Sequence, residues 1–370
     1  MKILAINSSP RGDQQSKTAL MLNHLVEGMR DAGAEVEVVN LRTRKIQNCI
    51  GCFTCWSKTP GICAHKDDMT NELYPKWLES DLVVYASPLY HFTMNAAMKT
   101  FIERTLPRVQ PFFEERNGRT IHPPRKPHPK VVMLSVAGFP EEKVFEQLSF
   151  WVQFLFGDDD TLIAEIYRPL AEALPTPFFK EKRDDILDAT VQAGREIVES
   201  LKVTPETMAR ITQPVVDDSE TFFTMGNLMW KTCIAEGITP MEFENKGLIP
   251  RPDSIETFMI IMPLGFNAEA AGDMEAVIQF RFSGEVEGTC HFRIENGEIS
   301  AHQGEAENPS ITIETPFDLW MDIITKKADG QQMFMEKKFK VSGNLLLLMR
   351  MGQLFDAFVK SHKFANASFP

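Results

Sequence analysis

Four of the six cysteines crowd into one stretch, spaced Cys49-x2-Cys52-x2-Cys55-x7-Cys63. Thiols at i, i+3 and i+6 let a tight loop turn three sulfurs toward one point. The fourth returns after an excursion through Pro60 and Gly61. Four thiolates suit a [4Fe–4S] cluster, and zinc is a second solution. Uncoordinated or redox-active thiols are the plain alternative. Six cysteines in 370 residues make no disulfide scaffold. Cys233 and Cys290 stand alone and read as packing residues.

A second chemical grouping follows the first apolar segment. Asn7-Ser8-Ser9-Pro10-Arg11 and then Ser16-Lys17-Thr18 lead into a helical pattern. An anion at such a strand–helix junction meets free backbone N–H groups and the positive end of the helix dipole. Ser9, Ser16 and Thr18 add hydroxyls, and Arg11 adds charge. Neither G-x-G-x-x-G nor G-x-x-x-x-G-K-[ST] occurs, so this is not a dinucleotide fingerprint or a P-loop. A polar turn capped by serines is the bland reading. Two more loops could join it: Ser87-Pro88-Leu89-Tyr90-His91-Phe92-Thr93-Met94 and Ala137-Gly138-Phe139-Pro140.

These loops need a scaffold, and the first 200 residues supply one. Short apolar runs at 2–6, 35–40, 81–86, 130–136 and 161–167 alternate with helical patterns at 15–32, 95–105, 141–156 and 184–201. Leu22, Leu25, Val26 and Met29 fall at i, i+3, i+4 and i+7. Such alternation predicts an α/β fold, a doubly wound parallel sheet covered on both faces. All three loops then emerge at its carboxyl edge, where ligands bind. Residues 202–217 carry two prolines and no clear period, and read as a linker. Beyond it the pattern changes. A helix at 219–237 places Phe222, Met225, Met229 and Cys233 on one face. Residues 255–315 read as strands and turns, including the hairpin signal Glu295-Asn296-Gly297. Helices at 317–324 and 345–360 close the chain, the last with Leu347, Met351, Leu354, Phe355 and Phe358 on one face. The expected domains are therefore 1–201 and a smaller α+β unit at 218–370.

The SSPR and SKT segments, the stretch SPLYHFTMNAAMKTFIER and the cysteine loop ending in KDDM resemble the NAD(P)H-dependent FMN reductases and their relatives, the iron–sulfur flavoproteins. The resemblance covers roughly residues 1–200. It implies a flavodoxin-like fold with bound FMN and NAD(P)H as electron donor. Ser9, Arg11, Ser16 and Thr18 would hold the phosphate. Pro88, Leu89 and Tyr90 would wrap the isoalloxazine ring, with Gly138 on its other side. Cys49, Cys52, Cys55 and Cys63 would carry the cluster, although the last gap lies at the long end of the family pattern. No side chain is expected as acid, base or nucleophile, because the cofactor does the organic chemistry. Dimers are common in that family, so a homo-oligomer is expected.

Residues 255–358 resemble the sterol-carrier-protein family, on MEAVIQFRFSGEVEGTCHFRIENGEIS and on the Lys-Phe-Lys-Val-Ser-Gly-Asn segment with the helix after it. That implies a five-stranded sheet packed with helices around an apolar tunnel for acyl chains or other lipids. Twelve of the 19 methionines lie from Met208 onward, and thioethers adapt to irregular apolar ligands. The fusion points to a flavin-dependent oxidoreductase that passes electrons from NAD(P)H to a flavin, quinone or other apolar acceptor. The alternative is an iron–sulfur flavoprotein relaying electrons between protein partners.

Composition narrows the rest. A net charge of −12 argues against nucleic acid as the main partner. The basic stretch at 116–130 could meet a 2′-phosphate or a redox partner, but reads first as a solvated insertion. No apolar run reaches the ~18 residues of a membrane span. The first residues meet Pro10 and Arg11 too early for a signal peptide, so a cytoplasmic location is expected.

Overall fold

The computed structural model describes residues 1–116, 118–157, 160–175, 179–216 and 219–355. The chain divides into two compact units, Met1–Val215 and Val216–Pro370.

In the first unit the strands are β1 (Lys2–Asn7), β2 (Glu35–Asn40), β3 (Leu82–Tyr90), β4 (Thr93–Met94), β5 (Glu114–Arg116), β6 (Arg119–Ile121), β7 (Lys130–Val136) and β8 (Leu162–Arg168). The helices are α1 (Lys17–Asp31), α2 (Tyr74–Glu79), α3 (Ala96–Glu103), α4 (Glu146–Phe156), α5 (Lys180–Ser200) and α6 (Pro205–Thr212). The five main strands run parallel in the order β2-β1-β3-β7-β8, with β4 antiparallel at the end of β3. This is the flavodoxin-like order, in which the chain reverses direction at β1/β3 and opens a crevice at the carboxyl edge there. The central strands are buried on both faces, which is why β3 and β7 read as unbroken apolar runs.

The α1 positions expected on one face, Leu22, Leu25, Val26 and Met29, are all buried. α1 packs so tightly on α5 that side chains are excluded at the crossing. A Cβ at Gly28 would lie 1.8 Å from the Val191 carbonyl oxygen, and one at Gly194 would lie 2.1 Å from that of Leu25.

The stretch expected as a linker, 202–217, instead contains α6. Thr204 caps it, with the hydroxyl accepting from Thr207 N, and Pro205 occupies its first turn. Arg168, fully buried, holds its far end by donating to the carbonyls of Ile211 (2.6 Å) and Gln213 (2.8 Å). A cation at a helix C-terminus meets the negative end of the dipole. The basic stretch at 116–130 contains β6, paired with β5 in a short hairpin.

The second unit comprises α7 (Ser219–Glu236), α8 (Pro240–Asn245), α9 (Ile255–Leu264), α10 (Ala268–Ala271), β9 (Ala276–Ser283), β10 (Gly288–Glu295), β11 (Glu298–Gln303), β12 (Ile311–Pro316), α11 (Phe317–Ile324), α12 (Gly330–Met335), β13 (Lys340–Gly343) and α13 (Leu345–Leu354). Its five-stranded sheet has the order β11-β10-β9-β12-β13, with only β9 and β12 parallel. Residues 255–275, expected as strands, are largely helical. Phe258 of α9 explains the reversal: it sits edge-on to Phe280, Phe282 and Phe292, with ring centroids 5.2–5.5 Å away. A helix whose apolar residues pack so deeply loses the polar stripe that marks helices in sequence. Leu347, Met351 and Leu354 are buried along α13 as expected, while Phe358 lies outside the described residues. Among the described residues, no helix is long and apolar enough to cross a membrane.

Candidate active site

The turn after β1 is tied down before any ligand is considered. Asn7 Oδ1 accepts from Ser9 N (3.0 Å), and Asn7 Nδ2 donates to Asn40 Oδ1 (2.8 Å). Ser8 N donates to the Ala86 carbonyl (2.9 Å). Asn95 then links this turn to the loop after β3. Its Nδ2 donates to the Ser8 carbonyl (2.6 Å), its backbone N donates to Ser87 Oγ (3.1 Å), and its Oδ1 caps α3 by accepting from Met98 N (3.1 Å). Asn95 lies in a segment singled out from sequence but was not identified as a site residue. An Asn before an apolar helix start was the available signal.

At the end of β3, Tyr90 pairs with Thr93 across a two-residue turn. His91 (φ 47°) and Phe92 (φ 63°) are both left-handed, the geometry a tight hairpin turn demands and one that a bulky Phe adopts only under strain. The turn leaves Tyr90 45% exposed. On the other side, the loop after β8 is zipped to the loop after β7. Leu170 N donates to the Phe139 carbonyl and Ala171 N to the Ala137 carbonyl, both at 2.8 Å.

Together these loops enclose an open cleft of about 410 Å3. Seven of the eight residues expected to hold the cofactor line it: Ser9, Arg11, Thr18, Pro88, Leu89, Tyr90 and Gly138. The eighth, Ser16, is the N-cap of α1, where its Oγ accepts from Ala19 N (3.0 Å). The N–H groups of Lys17 and Thr18 fall in the first helical turn, which has no intrahelical acceptors. Hydroxyls and first-turn N–H groups at one end, and Pro88, Leu89 and Tyr90 at the other, fit an anionic group attached to a flat apolar ring. Lys17 and Glu172 also line the cleft, and sequence reasoning missed both. Glu172 Oε1 accepts from Arg11 Nη1 (2.7 Å), and the Lys17 ammonium lies 3.8 Å from Oε2. Arg11, expected to meet a phosphate, is thus paired with a carboxylate. Glu172 carried no local signal, because only the fold brings it to the turn.

The four cysteines line a second, open pocket with Arg104, Glu103, His65 and the apolar Ile50 and Phe53. Gly51, Phe53 and Gly61 take left-handed φ values, which let so short a loop fold back on itself. Cys55 is buried, and burial together with the neighbouring cysteines pushes its thiol up. Cys52 is exposed, and hydrogen bonds from the Thr54 side chain and backbone lower its pKa. Among the described residues, no three His, Cys, Asp or Glu side chains converge closely enough for one metal ion. A zinc ion needs its sulfurs at about 2.3 Å from a single centre. A four-iron cubane carries each thiolate on a separate iron and so spaces them farther apart.

Arg104, which lines this pocket, belongs to a buried ion pair. Asp67 and Arg104 meet bidentately at 2.7 and 3.0 Å. Burial alone would raise the Asp67 carboxyl. The Arg104 guanidinium and the N–H groups of Gln47 and Thr70 overcome that and hold it at about 2.

Residues 1–137 match the family described as NADPH-dependent FMN reductase, and residues 267–356 match the SCP-2 sterol transfer family. An iron-sulfur flavoprotein of Archaeoglobus fulgidus is 42% identical over 107 residues, covering 29% of this chain and 46% of that protein. An iron-sulfur flavoprotein of Methanocaldococcus jannaschii is 31% identical over 107 residues, covering 29% and 53%. An FMN-dependent NADH:quinone oxidoreductase of Azospirillum brasilense is 31% identical over 112 residues, covering 28% and 53%. The chain spans about half the length of these relatives.

Proposed function

We propose that this chain, which joins a segment of the NADPH-dependent FMN reductase family to one of the SCP-2 sterol transfer family, is a flavin-dependent oxidoreductase taking electrons from NAD(P)H. One observation carries the reading: seven residues from three separate segments, which the sequence resemblance implies for FMN, line a single cleft at the carboxyl edge of the sheet. Bound there, FMN would supply the hydride and single-electron chemistry that side chains lack.

The chain's own residues bind and orient. Ser9, Thr18 and the first-turn N–H groups of α1 hold the phosphate, with Lys17 and Arg11 supplying positive charge. Pro88, Leu89 and Tyr90 wall one face of the ring. Gly138 leaves room on the other: even a Cβ there would come no nearer than 3.8 Å to its closest neighbour, Glu172 Cγ. The half-exposed Tyr90 leaves the ring edge accessible to a nicotinamide and then to an acceptor. The second unit would offer an apolar ligand site, which favours a quinone or other apolar acceptor.

A second reading rests on the cysteine cavity. Four thiols line one space beside relatives named iron-sulfur flavoproteins, which supports a [4Fe–4S] cluster relaying electrons between protein partners. Anaerobic purification with flavin, iron and sulfide assays tests both cofactors. Stopped-flow mixing with NADH and NADPH then separates the readings. Rapid flavin bleaching is expected for the reductase, and bleaching only by ferredoxin-like donors would replace it with the relay. Protein that stays colourless after reconstitution with FMN would refute both.

A further inference from the structure

A guanidinium has five N–H donors, and in a buried site each needs an acceptor. Arg104 is a test of that accounting, because its side chain is 1% exposed. Nη1 donates to the Gln47 carbonyl (2.6 Å) and to Asp67 Oδ2 (2.7 Å). Nη2 donates to Asp67 Oδ1 (3.0 Å) and to Thr70 Oγ1 (2.9 Å). Four donors are therefore satisfied. The fifth, Nε–H, is buried and has no acceptor among the described residues.

Arg104 lines the cysteine cavity together with Cys49, Cys52, Cys55 and Cys63, and the Cys63 side chain lies beside the guanidinium. Rotation cannot turn Nε elsewhere, because the Asp67 carboxylate grips both Nη atoms. Asp67 is itself fixed by Gln47 N (2.8 Å) and Thr70 N (3.1 Å). The other buried unpaired atoms among the described residues are Arg44 Nε, Ser135 Oγ and Trp320 Nε1, and none of those residues borders this cavity.

We infer that Arg104 is a positioning residue whose Nε–H donates to a sulfide of the cluster held beside Cys63. The inference rests on the iron–sulfur reading. Its consequence is redox tuning. Hydrogen bonds to sulfur stabilise the extra negative charge of the reduced state and raise the reduction potential. Because Asp67 neutralises the guanidinium, the effect comes from the directed N–H rather than from net charge. A lysine, which keeps the charge and loses the planar fork, is therefore not a substitute.

The test uses the full chain, purified anaerobically and assayed for iron and sulfide. Protein grown on arginine labelled with heavy nitrogen at the guanidinium is reduced with dithionite and examined by pulsed electron paramagnetic resonance. A resolved nitrogen coupling to the reduced cluster is expected. Arg104→Lys should abolish the coupling and lower the midpoint potential. A purely structural role would change iron content and stability while leaving the potential of the remaining clusters unmoved, and that result would overturn the inference. If Arg104→Lys does not retain iron, the labelled wild-type protein decides alone. Iron-loaded protein without the coupling overturns the inference and leaves the cluster reading intact, whereas protein without iron overturns both.

Discussion

Replacing Asp67 with Asn should cost the first unit about 3 kcal/mol at neutral pH. The substitution leaves the Arg104 cation buried with no counter-charge. Breaking a buried pair from one side costs roughly 3–5 kcal/mol, and an Asn carbonyl that still accepts one hydrogen bond places this case at the low end. The pH dependence is a sharper signature. The folded carboxyl lies at about 2, against 3.8 when exposed, which corresponds to about 2 kcal/mol of stability at neutral pH. Because the folded pKa is the lower one, this contribution is fully present above about pH 4 and is lost as the pH falls through about 2. Wild type should therefore lose its advantage over Asp67→Asn by about 2 kcal/mol between pH 5 and pH 2. Urea titrations read by hydrogen exchange in peptides of β3 and α3 isolate the first unit from the second. A gap below 1 kcal/mol at pH 7, or one that does not narrow with acid, would refute the electrostatic account.

Three further outcomes are expected. Glu172→Gln removes a carboxylate from the cleft and frees Arg11 and Lys17, so FMN should bind about 1 kcal/mol, or roughly fivefold, more tightly by fluorescence quenching. Gly28→Ala forces a methyl into the Val191 carbonyl and should destabilise the first unit by about 3 kcal/mol in chemical denaturation. Cys52→Ala should remove iron and the visible cluster absorption while leaving bound FMN, as measured by iron assay and flavin release.

What the sequence revealed was local. Leu22, Leu25, Val26 and Met29 announced α1 because one face of that helix is buried and the other is wet. Ser9, Pro88, Tyr90 and Gly138 could be placed together because each lies at or just past the carboxyl end of a parallel strand, and such ends share one edge. What stayed hidden was long-range or masked by burial. Glu172 reaches Arg11 only after the sheet has formed. The Asp67–Arg104 pair joins two segments, KDDM and FIER, that lie 37 residues apart and share no local pattern. α6 carried a capping signal in Thr204-Pro205, but Pro205 and Pro214 within so short a stretch suggested an irregular segment. α9 is so apolar that no period survived to distinguish it from a strand.

The glycine crossing between α1 and α5 also sets a schedule. Gly28 is synthesised early and Gly194 late, and at 5–20 residues per second roughly ten to thirty seconds separate them on the ribosome. Throughout that interval the outer flank of α1 is bare. Glu172, which pairs with Arg11, is also made late in the interval. The α1–α5 crossing therefore closes only once α5 has left the exit tunnel, after more than half of the chain has been made.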